Sequence, residues 1–329
     1  MKKIRAAITA VEGYFPDYIL TNEELSTMVD TSDEWIMTRI GVKERRILKE
    51  EGKGSSDLGE IVVKNILKNK SINPSDIELI ICCTVTPDML FPATANIIAD
   101  KCGIKNGFGF DVNAGCSGFL NGLTTAAKYI ESGFVKNAIV VGAEKMSAIV
   151  DYQDRATCPI FGDGAGAVLV EATEDELGYM DGILCADGIG RQHLHQKAGG
   201  SIKPPTHQTI DNREHYIYQE GQAVFKWAVT KMAESTENIL KRNKLTADDI
   251  AYLLPHQANL RIITATGDRL GLDPNKVLIN IEKYGNTTSA TIPLLMWENQ
   301  DKFKKGDNLI LTAFGAGFTW GAIWLKWAI

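Results

Sequence analysis

The stretch FDVNAGCSGF at residues 110–119 decides the fold, because a related pattern recurs about 170 residues later. The second copy, INIEKYGN, occupies residues 279–286 and ends in Asn286 where the first copy has Cys116. Other pairs repeat at nearly the same offset: residues 65–68 with 238–241, Gly103 with Gly271, and residues 137–142 with 308–313. Agreement among four registers indicates a distant internal duplication.

Each half alternates helical periodicity with short apolar runs, the pattern of parallel strands joined by crossover helices. The sequence therefore predicts an α/β fold with duplicated halves, layered as α-β-α-β-α. We assign residues 1–174 to an N-terminal half that carries Cys116 and residues 175–329 to a C-terminal half that carries His256 and Asn286. Residues 188–218 have no counterpart in the first half and predict an inserted loop.

Composition narrows the classes of protein. Of 329 residues, 44% are apolar and 23% are charged, which is typical of a well-packed globule. No stretch approaches the roughly 20 apolar residues of a membrane span, so we expect a cytoplasmic protein without a membrane partner. The net charge of −6 argues against nucleic acid as the principal partner. Six cysteines without C-x-x-C spacing indicate neither a disulfide framework nor a zinc site.

Cys116 is the first candidate for chemistry. It follows a strand-like run at 107–112 and precedes an amphipathic helical pattern at 117–132. Backbone N–H groups at a helix N-terminus stabilise an anion by about 0.3–1 kcal/mol, so the sequence predicts a lowered pKa for this thiol. Taken alone, a free cysteine is more often a small buried hydrophobe.

His256 and Asn286 gain interest from their positions in the duplication. Alone, His256 could be a structural residue, and Asn286 in YGNTT could belong to an ordinary turn. However, Asn286 is the counterpart of Cys116 and His256 that of Cys83, so the candidates lie at the carboxyl ends of strands, where open α/β sheets bind ligands. A thiol that stores an acyl group, with two neutral donors for a thioester oxygen, suits carbon–carbon bond formation between thioesters.

Six motifs carry a resemblance that covers essentially the whole chain: DTSDEWI at 30–36, CSGF at 116–119, FGDGAGA at 161–167, PHQAN at 255–259, YGNT at 284–287 and FTWG at 318–321. By these motifs the chain resembles the β-ketoacyl-acyl carrier protein synthase III family, the initiating condensing enzymes of bacterial fatty acid synthesis, within the thiolase-like superfamily. The resemblance implies that Cys116 is the nucleophile and that His256 and Asn286 promote decarboxylation and condensation.

The resemblance also implies the substrates and the residues that bind them. An acetyl-CoA or short or branched acyl-CoA primer would be condensed with malonyl-acyl carrier protein, with coenzyme A entering as part of a substrate and no resident cofactor or metal. Trp35 and Arg155 would flank the adenine of coenzyme A, Arg39 would meet its phosphates, and Asn259 would line the pantetheine channel.

Other residues are assigned by the same resemblance. Lys226 and Arg261 would dock the acidic carrier protein through local positive charge. Phe314 would line the acyl pocket, and Phe91 would form one of its walls across a homodimer interface. The backbone N–H of residue 316 would form an oxyanion hole together with that of Cys116. The family usually has glycine at this position, whereas this chain has Ala316.

Gly115 is a second departure from the family pattern, because the family usually has alanine there. Both departures bear on the reaction rate and on the preference for the acyl group.

The predicted insert holds four of the five histidines, His193, His195, His207 and His215. They lack a recognisable set of ligand spacings, so we expect this loop to shape the dimer or the tunnel entrance.

Four alternatives are considered. The acyl group could pass to an oxygen or nitrogen acceptor, although Asn286 favours decarboxylation. A degradative thiolase would need a second cysteine within residues 314–318, and an elongating synthase would need histidine in place of Asn286. A silent homologue that acts as a partner in a heteromeric complex would not need to keep all three polar residues.

Overall fold

The computed structural model describes residues 3–329, which form two sheets flanked and separated by helices. The strands are β1 Arg5–Tyr14, β2 Tyr18–Thr21, β3 Glu44–Ile47, β4 Leu79–Cys83, β5 Phe108–Val112, β6 Asn137–Glu144, β7 Gly164–Thr173, β8 Gly178–Ala186, β9 Leu194–Gln196, β10 Ile217–Gln219, β11 Tyr252–Pro255, β12 Asn308–Gly315 and β13 Thr319–Lys326. The helices are α1 Asn22–Ser26, α2 Asp33–Arg39, α3 Ser55–Asn69, α4 Thr94–Cys102, α5 Gly118–Glu131, α6 His207–Asp211, α7 Gly221–Asn243, α8 Leu260–Arg269, α9 Ile281–Tyr284 and α10 Thr291–Asn299.

Four strands of each sheet lie in the same order, as a duplication predicts. The first sheet runs β1-β7-β6-β4-β5 and the second runs β8-β13-β12-β11. In each, a parallel core (β4 with β5 and β6; β11 with β12) continues into two antiparallel strands. The second sheet lacks a full counterpart of β5 and has only a parallel bridge between Leu253 and Val277.

Five layers follow from the packing of the helices. Helices α3 and α4 cover the outer face of the first sheet, whereas α7 packs on the outer face of the second. Between the sheets lie α5 and α10, whose apolar residues form one core with inward-facing residues of both sheets. This is the α-β-α-β-α arrangement that the sequence predicts.

Helix α5 shows why this sequence forms the central layer. Its predicted apolar face, Phe119, Leu123, Ala126, Ala127 and Ile130, is fully buried. Burying each large apolar side chain contributes about 1.5–3 kcal/mol. The helix therefore holds the turn before it, which contains Cys116, against the second sheet.

The predicted inserted loop contains regular structure. Strands β9 and β10 pair antiparallel, and α6 lies between them in the chain. Glu214 accepts from Lys197 and Lys203, and Arg213 pairs with Asp151 outside the insert. A segment this long needs partners for its backbone and charged groups, and it obtains them through this small sheet and these ion pairs.

No helix in the described part of the chain is long and apolar enough to cross a membrane.

Candidate active site

A cavity of about 670 Å³ opens where both halves end their parallel strands. His256 directly follows β11, Ala316 directly follows β12, and Cys116 lies in the turn between β5 and α5. The cavity lining includes most of the residues that the sequence singled out: Trp35, Arg39, Cys116, His256, Asn259, Arg261, Asn286, Phe314 and Ala316. The duplication thus brings together residues that are far apart in the chain.

Cys116 occupies a 3₁₀ turn, Gly115–Ser117, immediately before α5. Burial raises the pKa of its thiol to about 12, and Glu144 acts in the same direction. Hydrogen bonds from the N–H groups of Cys116 itself and Ala316 act in the opposite direction. The predicted lowering of this pKa is therefore wrong for the free protein, because the cost of burying a thiolate exceeds what a helix N-terminus supplies.

The backbones of the two halves are in close contact around this thiol. A β-carbon added to Gly315 would lie 2.3 Å from the nitrogen of Cys116, which only glycine avoids. Thr319 Oγ1 donates to the carbonyl of Ala114 at 2.7 Å, and Ser117 Oγ donates to the carbonyl of Thr319 at 3.1 Å. These contacts hold the N–H groups of residues 116 and 316 on the same sulfur.

His256 is almost completely buried, with 1% of its surface exposed. Its Nδ1 lies 2.6 Å from Thr291 Oγ1, whereas buried Nε2 finds no hydrogen-bond partner among residues 3–329. Burial lowers the pKa of the imidazole to about 3. The ring is therefore neutral at physiological pH and has one nitrogen free to meet a ligand.

Asn286 is also buried, and its backbone is fixed on both sides. Its N–H donates to the carbonyl of Ile160 at 2.8 Å, and its carbonyl accepts from Gly162 at 3.1 Å. The side-chain Oδ1 accepts from the N–H of Thr288 at 2.8 Å. This bond assigns the amide orientation and leaves Nδ2 as a donor in the cavity.

Comparison with known proteins agrees with this geometry. Two family models match: 3-oxoacyl-[acyl-carrier-protein] synthase III at residues 110–188 and its C-terminal domain at residues 240–327. A β-ketoacyl-[acyl-carrier-protein] synthase III of Bacteroides thetaiotaomicron is 58% identical over 327 residues, covering 99% of this chain and 98% of that protein.

The chain belongs to the β-ketoacyl-[acyl-carrier-protein] synthase III family.

Other synthase III proteins support this assignment. A relative from Porphyromonas gingivalis is 53% identical and covers 100% of this chain and 98% of its own. The crystal structure of 3-oxoacyl-[acyl-carrier-protein] synthase III from Aquifex aeolicus superimposes with a TM-score of 0.90 at 39% identity, covering 98% of this chain and 100% of that one. The family and the thiolase-like fold expected from the motifs are thereby confirmed.

Three of the four residues that the resemblance assigns to coenzyme A line the cavity of this synthase III chain: Trp35, Arg39 and Asn259. The guanidinium of exposed Arg155 lies 4.9 Å from the ring centroid of Trp35, although Arg155 itself lies outside the cavity lining. Asn259 caps α8 and donates through Nδ2 to the carbonyl of Arg39 at 2.9 Å. Trp35, Arg39 and Asn259 thus belong to one connected rim.

Of the two residues assigned to carrier-protein docking, Arg261 lines the cavity and Lys226 does not. Arg261 lines the cavity, with its guanidinium 5.0 Å from the ring centroid of Phe225. Lys226 is exposed on α7, next to Phe225 in the chain. Phe91 is 83% exposed and is not part of the cavity of its own chain.

Glu144 lies near the site, but the sequence analysis did not identify it. Glu144, at the end of β6, is fully buried and accepts hydrogen bonds from Thr86 Oγ1 at 2.6 Å and from Ser289 Oγ at 2.7 Å. Burial raises its pKa. The sequence does contain a sign of this role, since Glu144 directly follows the apolar run NAIVVGA. A charged side chain at the end of a buried strand must find buried hydrogen-bond partners.

The insert lines part of the cavity, which agrees with the expectation that it shapes the tunnel entrance. Leu194, His195 and Gln196 of β9 line it, together with Ile217 and Gln219 of β10. Its histidines have separate contacts: His193 Nδ1 lies 2.6 Å from Glu220, and the ring centroid of His215 lies 4.0 Å from that of Tyr216, with the two rings tilted by 40°. Within residues 3–329, no group of three or more metal-ligating side chains is close enough to hold an ion.

Proposed function

We propose that this chain condenses an acyl-CoA primer with malonyl-acyl carrier protein, with loss of carbon dioxide, and so initiates type II fatty acid synthesis. As a member of the synthase III family, it is a condensing acyltransferase. The observation that carries the proposal is the meeting of one thiol, one neutral imidazole and one amide in a single cavity, with two backbone N–H groups directed at the thiol sulfur.

The first step transfers the acyl group to the enzyme. Cys116 Sγ attacks the thioester carbon, and the N–H groups of Cys116 and Ala316 stabilise the oxyanion that forms. The bond to coenzyme A then breaks, and the proton that leaves the thiol ends on the sulfur of the departing coenzyme A. Because burial keeps the thiol protonated in the free enzyme, this proton is lost as the new bond forms.

The second step joins the two carbon chains. The malonyl carboxylate leaves as carbon dioxide, and its electron pair moves into an enolate whose oxygen is held by His256 and Asn286. The enolate carbon attacks the acyl carbonyl on Cys116, the carbon–sulfur bond breaks, and the released thiolate takes a proton from solvent. The product is a 3-oxoacyl-acyl carrier protein.

Both steps are tested by separating them. We expect wild-type enzyme to give a burst of acyl-enzyme with acyl-CoA, Cys116→Ala to give none, and His256→Ala to acylate without releasing carbon dioxide from malonyl-acyl carrier protein. Cys185→Ala, at an exposed cysteine outside the cavity, is the matched control. Normal condensation by Cys116→Ala would contradict the proposal, and acyl-enzyme formation without carbon dioxide release by wild type would indicate a different acceptor.

We assign the rim to substrate binding. Trp35 and Arg155 flank the adenine, Arg39 meets the phosphates and Asn259 contacts the pantetheine. The guanidinium of Arg155 lies 4.9 Å from the ring centroid of Trp35, so the two side chains are neighbours that would separate to admit the base. Lys226 and Arg261 receive the carrier protein, which the exposure of Lys226 beside the mouth supports.

A homodimer is part of this proposal. Strand β5 is one of the two edge strands of the first sheet, and Phe108 on it is 40% exposed beside Phe134, which is 69% exposed. An open apolar edge favours pairing with a second copy. In this dimer we assign Phe91, which is exposed on the loop between β4 and α4, to the acyl pocket of the partner.

The same proposal includes no resident cofactor and a cytoplasmic location. The thiol, imidazole, amide and N–H groups supply the nucleophile, the donors and the oxyanion site that the two steps require. The six cysteines are free thiols, and cytosolic proteins keep their thiols reduced.

A further inference from the structure

Thr291 makes a buried hydrogen bond to the imidazole of His256. Its Oγ1 lies 2.6 Å from His256 Nδ1, and both side chains are buried, with 3% and 1% of their surfaces exposed. The imidazole of His256 is neutral, so it carries a single ring proton. If that proton is on Nε2, the ring donates a hydrogen bond into the cavity; if it is on Nδ1, Nε2 can only accept.

The distances decide between these tautomers. The hydroxyl of Thr291 has one proton and two acceptors within reach, His256 Nδ1 at 2.6 Å and the carbonyl of Thr288 at 3.1 Å. Hydrogen bonds donated by a hydroxyl are usually about 2.5–3.0 Å long, whereas those donated by an N–H group to an oxygen are about 2.7–3.2 Å. The 2.6 Å contact fits the hydroxyl as donor and Nδ1 as acceptor, an arrangement in which the ring proton lies on Nε2.

We propose that Thr291 is a positioning residue that holds His256 in its Nε2–H tautomer and so makes it a donor to the thioester oxygen of the malonyl group. This rests on the proposed function for the identity of the acceptor, but the tautomer itself is a property of the free enzyme.

One short segment orients both donors of the decarboxylation step. The N–H of Thr288 holds Asn286 Oδ1, and Thr291 begins α10 directly after the 3₁₀ turn Thr288–Ala290. Thr288 adopts a φ of 54°, a left-handed conformation that is costly for a β-branched residue. Residues 286–291 therefore set the amide and the imidazole together.

The tautomer can be read directly with ¹⁵N-labelled histidine in the free enzyme. The chain has five histidines, and His256→Ala identifies the signal by its disappearance. We expect wild-type His256 to show Nε2 protonated and Nδ1 accepting. Thr291→Val removes the hydroxyl at nearly constant volume, so this tautomer should be lost, whereas Thr291→Ser should retain it.

The kinetic effect should fall on one step. Thr291→Val is expected to slow carbon dioxide release about 10- to 100-fold, less than the 10²- to 10³-fold effect of removing an oxyanion donor, while the acyl-enzyme burst on Cys116 persists. Thr291→Ser should restore most of the rate. Thr266→Val, which removes another fully buried hydroxyl that bonds to a helix carbonyl at 2.8 Å, is the matched control and should leave both steps unchanged.

Two results would overturn the inference: a wild-type signal with Nδ1 protonated, or unchanged carbon dioxide release in Thr291→Val. The wild-type spectrum distinguishes the two tautomers even if Thr291→Val does not fold. Absence of condensation by wild type with the expected tautomer present would instead refute the proposed function.

Discussion

Replacing Gly115 with alanine tests the contact between the two halves that forms the oxyanion site. Gly115 has a φ of 55°, and a methyl group added there would lie 2.6 Å from the nitrogen and 2.8 Å from the oxygen of Ala316. Both atoms belong to the backbone, so no side-chain rotation can relieve the overlap. The N–H of Ala316 must therefore move away from Cys116 Sγ.

The size of the effect follows from two costs. A left-handed conformation costs alanine about 1–2 kcal/mol, which should lower the unfolding temperature by a few degrees. Displacing one oxyanion donor should reduce kcat by up to about 10²- to 10³-fold. We expect Gly115→Ala to show both effects in thermal unfolding and in the rate of 3-oxoacyl product formation.

A second substitution should rescue the first. The resemblance to the family implies alanine at position 115 together with glycine at position 316, and glycine at 316 would let the backbone yield to the new methyl group. The variant with both Gly115→Ala and Ala316→Gly should therefore recover most of the lost kcat, and Ala316→Gly alone completes the cycle. Wild-type kcat and unfolding temperature in Gly115→Ala, or strictly additive effects in the double variant, would refute the reasoning.

Three further predictions concern other parts of the molecule. Burial lowers the pKa of His256 from 6.5 to about 3, so between these pH values the unfolded state binds more protons than the folded state. His256 should therefore lower the free energy of unfolding by about 1.4 kcal/mol for each pH unit of acidification in this range. Chemical unfolding of His256→Gln should show a smaller dependence of this free energy on pH, and an unchanged dependence would contradict the prediction. Charge reversal by Lys226→Glu or Arg261→Glu should raise KM for malonyl-acyl carrier protein about tenfold at low salt and less at high salt; equal effects at both ionic strengths would argue against docking there. Phe108→Lys should convert the proposed dimer to a monomer by light scattering at micromolar concentration, and an unchanged mass would place the interface away from β5.

Much of the candidate site was predictable because the relevant pattern is local. The strand before Cys116, the helix after it and the repeat that pairs it with Asn286 are all readable in linear order. Thr291 and Glu144 were not found, because their importance depends on which buried group they face. Nothing in the sequence around Thr291 indicates that its hydroxyl meets an imidazole 35 residues away in the chain.

The insert illustrates the limit of composition. Its polar residues and adjacent prolines predicted a loop, yet β9 and β10 pair across about twenty residues and line the cavity. Strand pairing between short segments depends on the surface they pack against, which composition does not encode.

The sequence by itself determined the duplicated α/β fold, the family and the identity of the three polar residues, because these follow from periodicity, repeat register and short motifs. The tertiary structure decided the protonation of those residues. A helix N-terminus is visible in the sequence, but burial is a property of the whole packed molecule, and its cost keeps the Cys116 thiol protonated and the His256 imidazole neutral.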